Sequence, residues 1–173
     1  MTTYDAGLRL RFIRDSLFYM VRESMEAAGW FESEPRRAPV ELLPEPVDGS
    51  VEIVPNKVAM STDDTTTLEW ELGTDMEQLR WDVYFDVFAE NESVGIHIVG
   101  DIVAILKGKM PSVGRTSSSF DVYDFRDMDE GPIFKCDLEE IDSSRVDPTT
   151  NFNKFYWVIG CQIVDYHVTG GEG

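Results

Sequence analysis

Apolar residues recur at helical spacing across residues 5 to 28. Leu10, Ile13, Leu17, Val21 and Ala28 form a stripe, widened by Phe12, Met20 and Met25. Arg9, Arg11, Arg14 and Arg22 lie mostly off it, and Gly29 is a natural helix stop. The pattern then changes period. Residues 51 to 60 read as a strand, weakened or bulged at Pro55. Leu68, Trp70 and Leu72 alternate with Glu69 and Glu71, and Gly73-Thr74-Asp75 reads as a turn. Leu79, Trp81, Val83, Phe85 and Val87 alternate with Arg80, Asp82, Tyr84, Asp86 and Phe88, the clearest strand in the chain. These last two segments predict a hairpin whose second face carries Glu69, Glu71, Asp82 and Asp86.

A second helix is expected over 92 to 107. Asn91 suits its N-cap and Glu92 its first turn, Val94, Ile98, Ile102 and Ile105 form its apolar line, and Gly108 ends it. Gly95 and Gly100 weigh against it, each costing about 1 kcal/mol relative to Ala. Strands follow at 120 to 125, 133 to 141 and 155 to 168. The last carries Phe155, Trp157, Ile159, Cys161 and Ile163 on one face. Its other face is also largely apolar, which predicts a central strand covered on both sides. Between the elements lie an acidic turn at 127 to 132 and a loop at 143 to 153. Two further loops are long: 32 to 50, with Pro35, Pro39, Pro44 and Pro46, and 109 to 119, with Pro111 and Gly114. The order predicts one domain over residues 1 to 173: an α+β fold with a mainly antiparallel sheet and two helices on one face.

Charge narrows the partners. Against 15 Lys and Arg stand 33 Asp and Glu, a net charge of -18, so phosphate backbones and anionic membranes are repelled. No apolar run is long enough to span a membrane, and the first residues lack the apolar segment of a signal peptide. Cys136 and Cys161 could pair; two separate buried thiols in a reducing compartment are the expectation.

A search for chemistry finds little. His97 and His167 are the only histidines, and neither has a nucleophile motif beside it. Asp127-Met128-Asp129-Glu130-Gly131 resembles a fragment of a calcium loop, but Gly131 stands where a side-chain ligand is wanted and Leu138 where a closing carboxylate is wanted. The strand carboxylates could form a glycosidase-type pair, but evenly spaced acids on an outward face suit a solvated surface. Trp70, Trp81 and Trp157 fall on apolar faces and read as core. The expectation is a non-enzymatic structural or binding protein with no metal or cofactor.

The layout as a whole carries a resemblance. The first helix runs into Ala27-Ala28-Gly29-Trp30, and Leu79 to Glu90 form a strand that leads into an Asn91-Glu92 cap. The second helix ends in Ile105-Leu106-Lys107-Gly108, and the chain closes on the strand Phe155 to Tyr166. Over most of residues 5 to 168 this resembles the tail terminator proteins of long-tailed bacteriophages, in architecture and size rather than in an invariant motif. The resemblance implies a homohexameric ring that caps the tail tube and joins it to the head-neck connector. Its partners would be the major tail tube protein below and a head-completion or stopper protein above, with DNA passing through unbound. Its place would be the virion neck, after assembly in the host cytoplasm. On that footing Glu69, Glu71, Asp82 and Asp86 are candidates to line the channel. Lys107, Lys109 and Arg115, clustered in a cation-poor chain, are candidates to meet an acidic partner. Alternatives are another neck component, such as a head-completion or minor tail protein, or an acidic module that sequesters a basic partner.

Overall fold

A computed structural model describes residues 6–35, 37–63, 67–70 and 76–168. The first helix, α1, spans Ala6–Ala27 and ends as the glycine rule requires, with Gly29 at φ 81°. Its buried stripe is Phe12, Ile13, Leu17, Val21 and Met25, with Ser16 and Ser24 buried among them. Leu10, Met20 and Ala28 lie at the margin, only partly covered. The second helix, α2, spans Glu92–Leu106, and the Asn91 side chain accepts from Val94 N at 2.9 Å, the expected N-cap.

Seven strands form one sheet: β1 (Glu41–Leu43), β2 (Lys57–Thr62), β3 (Thr67–Trp70), β4 (Met76–Phe88), β5 (Ser119–Val122), β6 (Phe134–Arg145) and β7 (Tyr156–Val168). The path is β1-β2-β4-β7-β6-β5, with β3 paired to β4. Every pairing is antiparallel except β1 with β2. The expected hairpin is present: β3 pairs Leu68 with Leu79 and Glu69 with Gln78. Its turn, Gly73-Thr74-Asp75, lies outside the described residues. β2 and β3 follow one another along the same edge of β4, facing Val83 to Phe88 and Glu77 to Arg80 respectively. β4 and β7 pair over their whole lengths and form the spine of the sheet.

Both helices pack on one face of this sheet: α1 over β5 and against α2, and α2 over β4, β6 and β7. The core fills the space between. Trp81, Val83, Phe85 and Val87 of β4 and Trp157, Ile159, Cys161 and Ile163 of β7 meet the two helical stripes. This corrects one expectation. β7 is central, but no described helix covers its second face. Tyr156, Val158, Gly160 and Gln162 lie there only partly buried, whereas Val164 on the same face is fully buried. Their mixed polarity suits partial cover by flanking side chains.

Four element boundaries also differ from the sequence pattern. The strand expected at 51 to 60 begins only at Lys57, because Pro55 lacks an N–H for the ladder and Asn56 takes φ 60°. The strand expected at 120 to 125 covers only Ser119–Val122. β6 continues four residues past the expected end at Ile141, to Arg145, across a bulge between Glu139 and Asp142 where Glu140 takes φ 49°. The loop expected from Ser143 therefore starts later. Finally, the proline-rich stretch 32 to 50 is not all loop. It contributes β1 to the sheet and buries Val40. Asn56, 1% exposed, ties it down by donating to Ala38 O at 3.0 Å while accepting from Glu90 N at 3.1 Å.

Candidate functional site

The face of the sheet turned away from the helices collects the polar members of three adjacent strands. Register sets Asp82 beside Gln162, Tyr84 beside Gly160 and Asp86 beside Val158, with Glu139 beyond Gln162 and Asp142 beyond Gly160. The residues are linked across the strands. Arg80 Nη1 donates to Gln162 Oε1 at 2.8 Å and to Glu139 Oε2 at 3.3 Å, and Gln162 Nε2 donates to Asp82 Oδ1 at 3.2 Å. Tyr156 donates its hydroxyl to Asp86 Oδ1 at 2.7 Å. Tyr84 stands out between the two aspartates, 38% exposed.

Burial dominates the electrostatics of the Asp86–Tyr156 pair. It raises the Asp86 carboxyl above its ordinary value even though the Tyr156 hydrogen bond pulls the other way. Burial, and then the adjacent Asp86, push the Tyr156 phenol well above its usual range. One end of the face is closed. Phe88 and Tyr156 stack with centroids 4.5 Å apart, and Gly49 lies over both rings. Asn153 fastens this cover by donating to Gly49 O and Val51 O and accepting from Ile53 N.

Of the four candidate lining residues, the structure places Asp82 and Asp86 together on this face. Glu69 is described only through its backbone pairing with Gln78, and Glu71 lies outside the described residues. Asp86 lies four positions along the strand from Asp82, roughly 13 Å at the usual rise. That is too far for two carboxylates to flank one glycosidic bond. What the arrangement does supply is a sheet surface of mostly negative sign, with Arg80 set among the acids.

The second candidate group divides. Lys107 and Lys109 are exposed at the end of α2. Arg115 instead turns inward, where Nε donates to Ile105 O at 3.1 Å and Nη1 to Ser119 O at 3.0 Å. It satisfies a carbonyl of the last turn of α2, a job for which only a cation in a polar loop gave a hint. Around it the segment is folded rather than open: Pro111–Val113 make a 3-10 turn, and Met110 and Arg115 exchange two backbone hydrogen bonds.

The remaining chemical groups stand apart from one another. His97 is exposed on α2 beside a cleft of about 440 Å3 that also holds Trp30, Arg37 and Asp101. Trp30 Nε1 donates to Asp101 Oδ2 at 2.7 Å, and the Arg37 guanidinium lies over the indole at 4.3 Å. The side chain of His167 is not among those described. Asp127 and Asp129 sit on an exposed 3-10 turn, and among the described residues no group of three or more His, Cys, Asp or Glu could hold a metal ion. Cys136 and Cys161 are free and buried, and burial raises both thiols, Cys161 to about 12. No described helix is long and apolar enough to cross a membrane. No protein-family model matches the sequence, and no curated protein matches it.

Proposed function

We propose that this chain is a structural virion protein that forms a sixfold ring, caps a phage tail tube and joins it to the neck, with DNA passing through the ring. The observation that supports this reading is the division of the sheet: both helices lie on one face, and the other carries Asp82, Asp86, Glu139 and Asp142, with Arg80 held among them by Glu139 and Gln162. A channel for DNA needs a lining that does not hold phosphate. Lys and Arg would release counterions and bind the backbone, whereas carboxylates repel it and keep passage smooth. In this reading the ring closes through head-to-tail contacts between identical subunits. Tube protein and a head-completion protein meet its two rims, and Lys107 and Lys109 are available for an acidic partner surface.

Electron microscopy of the purified chain mixed with tail tubes that lack an end ring tests the proposal. A sixfold ring at the tube end is the expected result. Rings of another order, or no association with tubes, would overturn it.

A further inference from the structure

Two loops tied together hold apolar side chains out to solvent. The loop 44 to 56, which joins β1 to β2 at one end of the sheet path, carries Val51 and Val54, and the loop 146 to 155 carries Phe152. Phe152 is 79% exposed, Val54 70% and Val51 50%; the first two are the most exposed large apolar side chains among the described residues. Neither loop is loose. Asp48 accepts from Ser50 N and Oγ, Asp147 accepts from Thr149 N and Oγ1, and the buried Asn153 binds the two loops to each other through Gly49 O, Val51 O and Ile53 N. An apolar group fixed in place before it docks loses little freedom on docking, and apolar surface rimmed by polar residues marks a contact. Here the rim is acidic: Glu45, Asp48, Glu52 and Asp147 are exposed on the same loops, against Lys154 alone.

The opposite end of the sheet path offers the reverse shape. A cleft of about 370 Å3, larger than a phenylalanine side chain, lies between α1 and β5. Tyr19 and Met20 of α1 and Tyr123 give it partly exposed apolar walls, and Thr116 and Lys135 stand exposed at its rim. Phe125, 36% exposed, extends this surface by packing edge to face on Tyr19 at 5.6 Å. The charge is also reversed. Lys135 offsets Asp121 from 3.6 Å, and Gly108 abuts Ser117 of the cleft, which brings the exposed Lys107 and Lys109 beside it against the exposed Glu23. A projecting, acid-rimmed apolar group and a lysine-flanked apolar cleft thus lie at the two ends of one sheet. A head-to-tail contact between identical subunits requires two different, complementary patches of this kind.

We propose that Phe152 of one copy seats in the α1–β5 cleft of the next, with the acidic rim of its loops facing Lys107 and Lys109. The proposal rests on the ring reading, for which it names the contact between subunits. Sedimentation velocity of the full chain at physiological salt, where long-range repulsion between subunits is screened, tests it. The parent chain should self-associate. Phe152→Ser should weaken association about thirtyfold or more, as loss of a central aromatic anchor does, and Thr116→Trp, which fills the rim of the cleft, should do the same. Both positions are exposed, so both chains should melt like the parent. Mixing the two variants should give one-to-one pairs and nothing larger, because only the intact Phe152 of one and the intact cleft of the other can meet. A parent chain that stays monomeric, a Phe152→Ser chain that associates like the parent, or a mixture that stays monomeric would each overturn the contact. Sixfold rings formed on tail tubes by the Phe152→Ser chain would overturn the contact and leave the ring reading standing.

Discussion

Arg9 and Asp165 meet in a two-point ion pair: Nε donates to Oδ2 at 2.7 Å and Nη2 to Oδ1 at 2.9 Å, with the Asp165 side chain 2% exposed. The pair ties the first turn of α1 to the last strand, and the Arg9 guanidinium also lies 3.7 Å from the centre of the Phe134 ring. Removing the cation leaves a buried carboxylate without its partner. Arg9→Ala should therefore cost about 3–5 kcal/mol in chemical denaturation. Replacing both residues together, Arg9→Met with Asp165→Leu, should recover most of that loss, because an apolar pair needs no compensation.

The Asp86–Tyr156 pair predicts a pH dependence. Burial raises the Asp86 carboxyl above its ordinary 3.8, so the folded chain takes up a proton at a higher pH than the unfolded chain does. The stabilisation from that proton is fully present below the unfolded value and is lost as pH rises through the folded one. At pH 7 the half-buried charge is thus a net cost. Asp86→Asn keeps an oxygen for the Tyr156 hydroxyl and removes the charge. It should raise the melting temperature at pH 7, and the advantage should fade as the pH falls toward 3.8. A melting temperature at pH 7 no higher than that of the parent chain would contradict the assignment.

Two glycines of α2 should respond in opposite directions. A Cβ at Gly95 would overlap the Trp157 ring, whereas one at Gly100 would meet nothing within 4 Å. Gly100→Ala should stabilise by about 1 kcal/mol through helix propensity alone. Gly95→Ala should destabilise by about 1–3 kcal/mol despite the same propensity gain, because the indole has to move. Paired thermal melts separate the two.

For the proposed ring, two solution measurements follow. Subunits of charge -18 repel one another, so ring formation followed by light scattering should strengthen as salt rises from low to physiological concentration. Changing Glu69, Glu71 and Asp82 to Lys, with the half-buried Asp86 left in place, should give particles that assemble yet eject DNA poorly. Normal ejection from those particles would put this surface somewhere other than the channel.

Local pattern was sufficient for α1, α2, β4 and β7. A buried stripe at 3.6-residue spacing, or an alternation like that of Trp81 to Val87, reports burial of one face regardless of what does the covering. The Asn91 cap and the Gly29 stop were legible for the same reason, since each acts within a few residues of chain. The acidic character of the β4 second face could also be read, down to Asp82 and Asp86. Only the tertiary structure decided what lies beside and above those elements. Pairing of β4 with β7 and the parallel addition of β1 join residues far apart in the chain, and no periodicity encodes a partner. Gly95 looked like a defect until Trp157 was set against it. Arg115 looked like a free loop cation until the fold brought the carbonyls of Ile105 and Ser119 within reach of its guanidinium. A side chain's type states what it can bond; only the packed chain determines which groups stand close enough to be bonded.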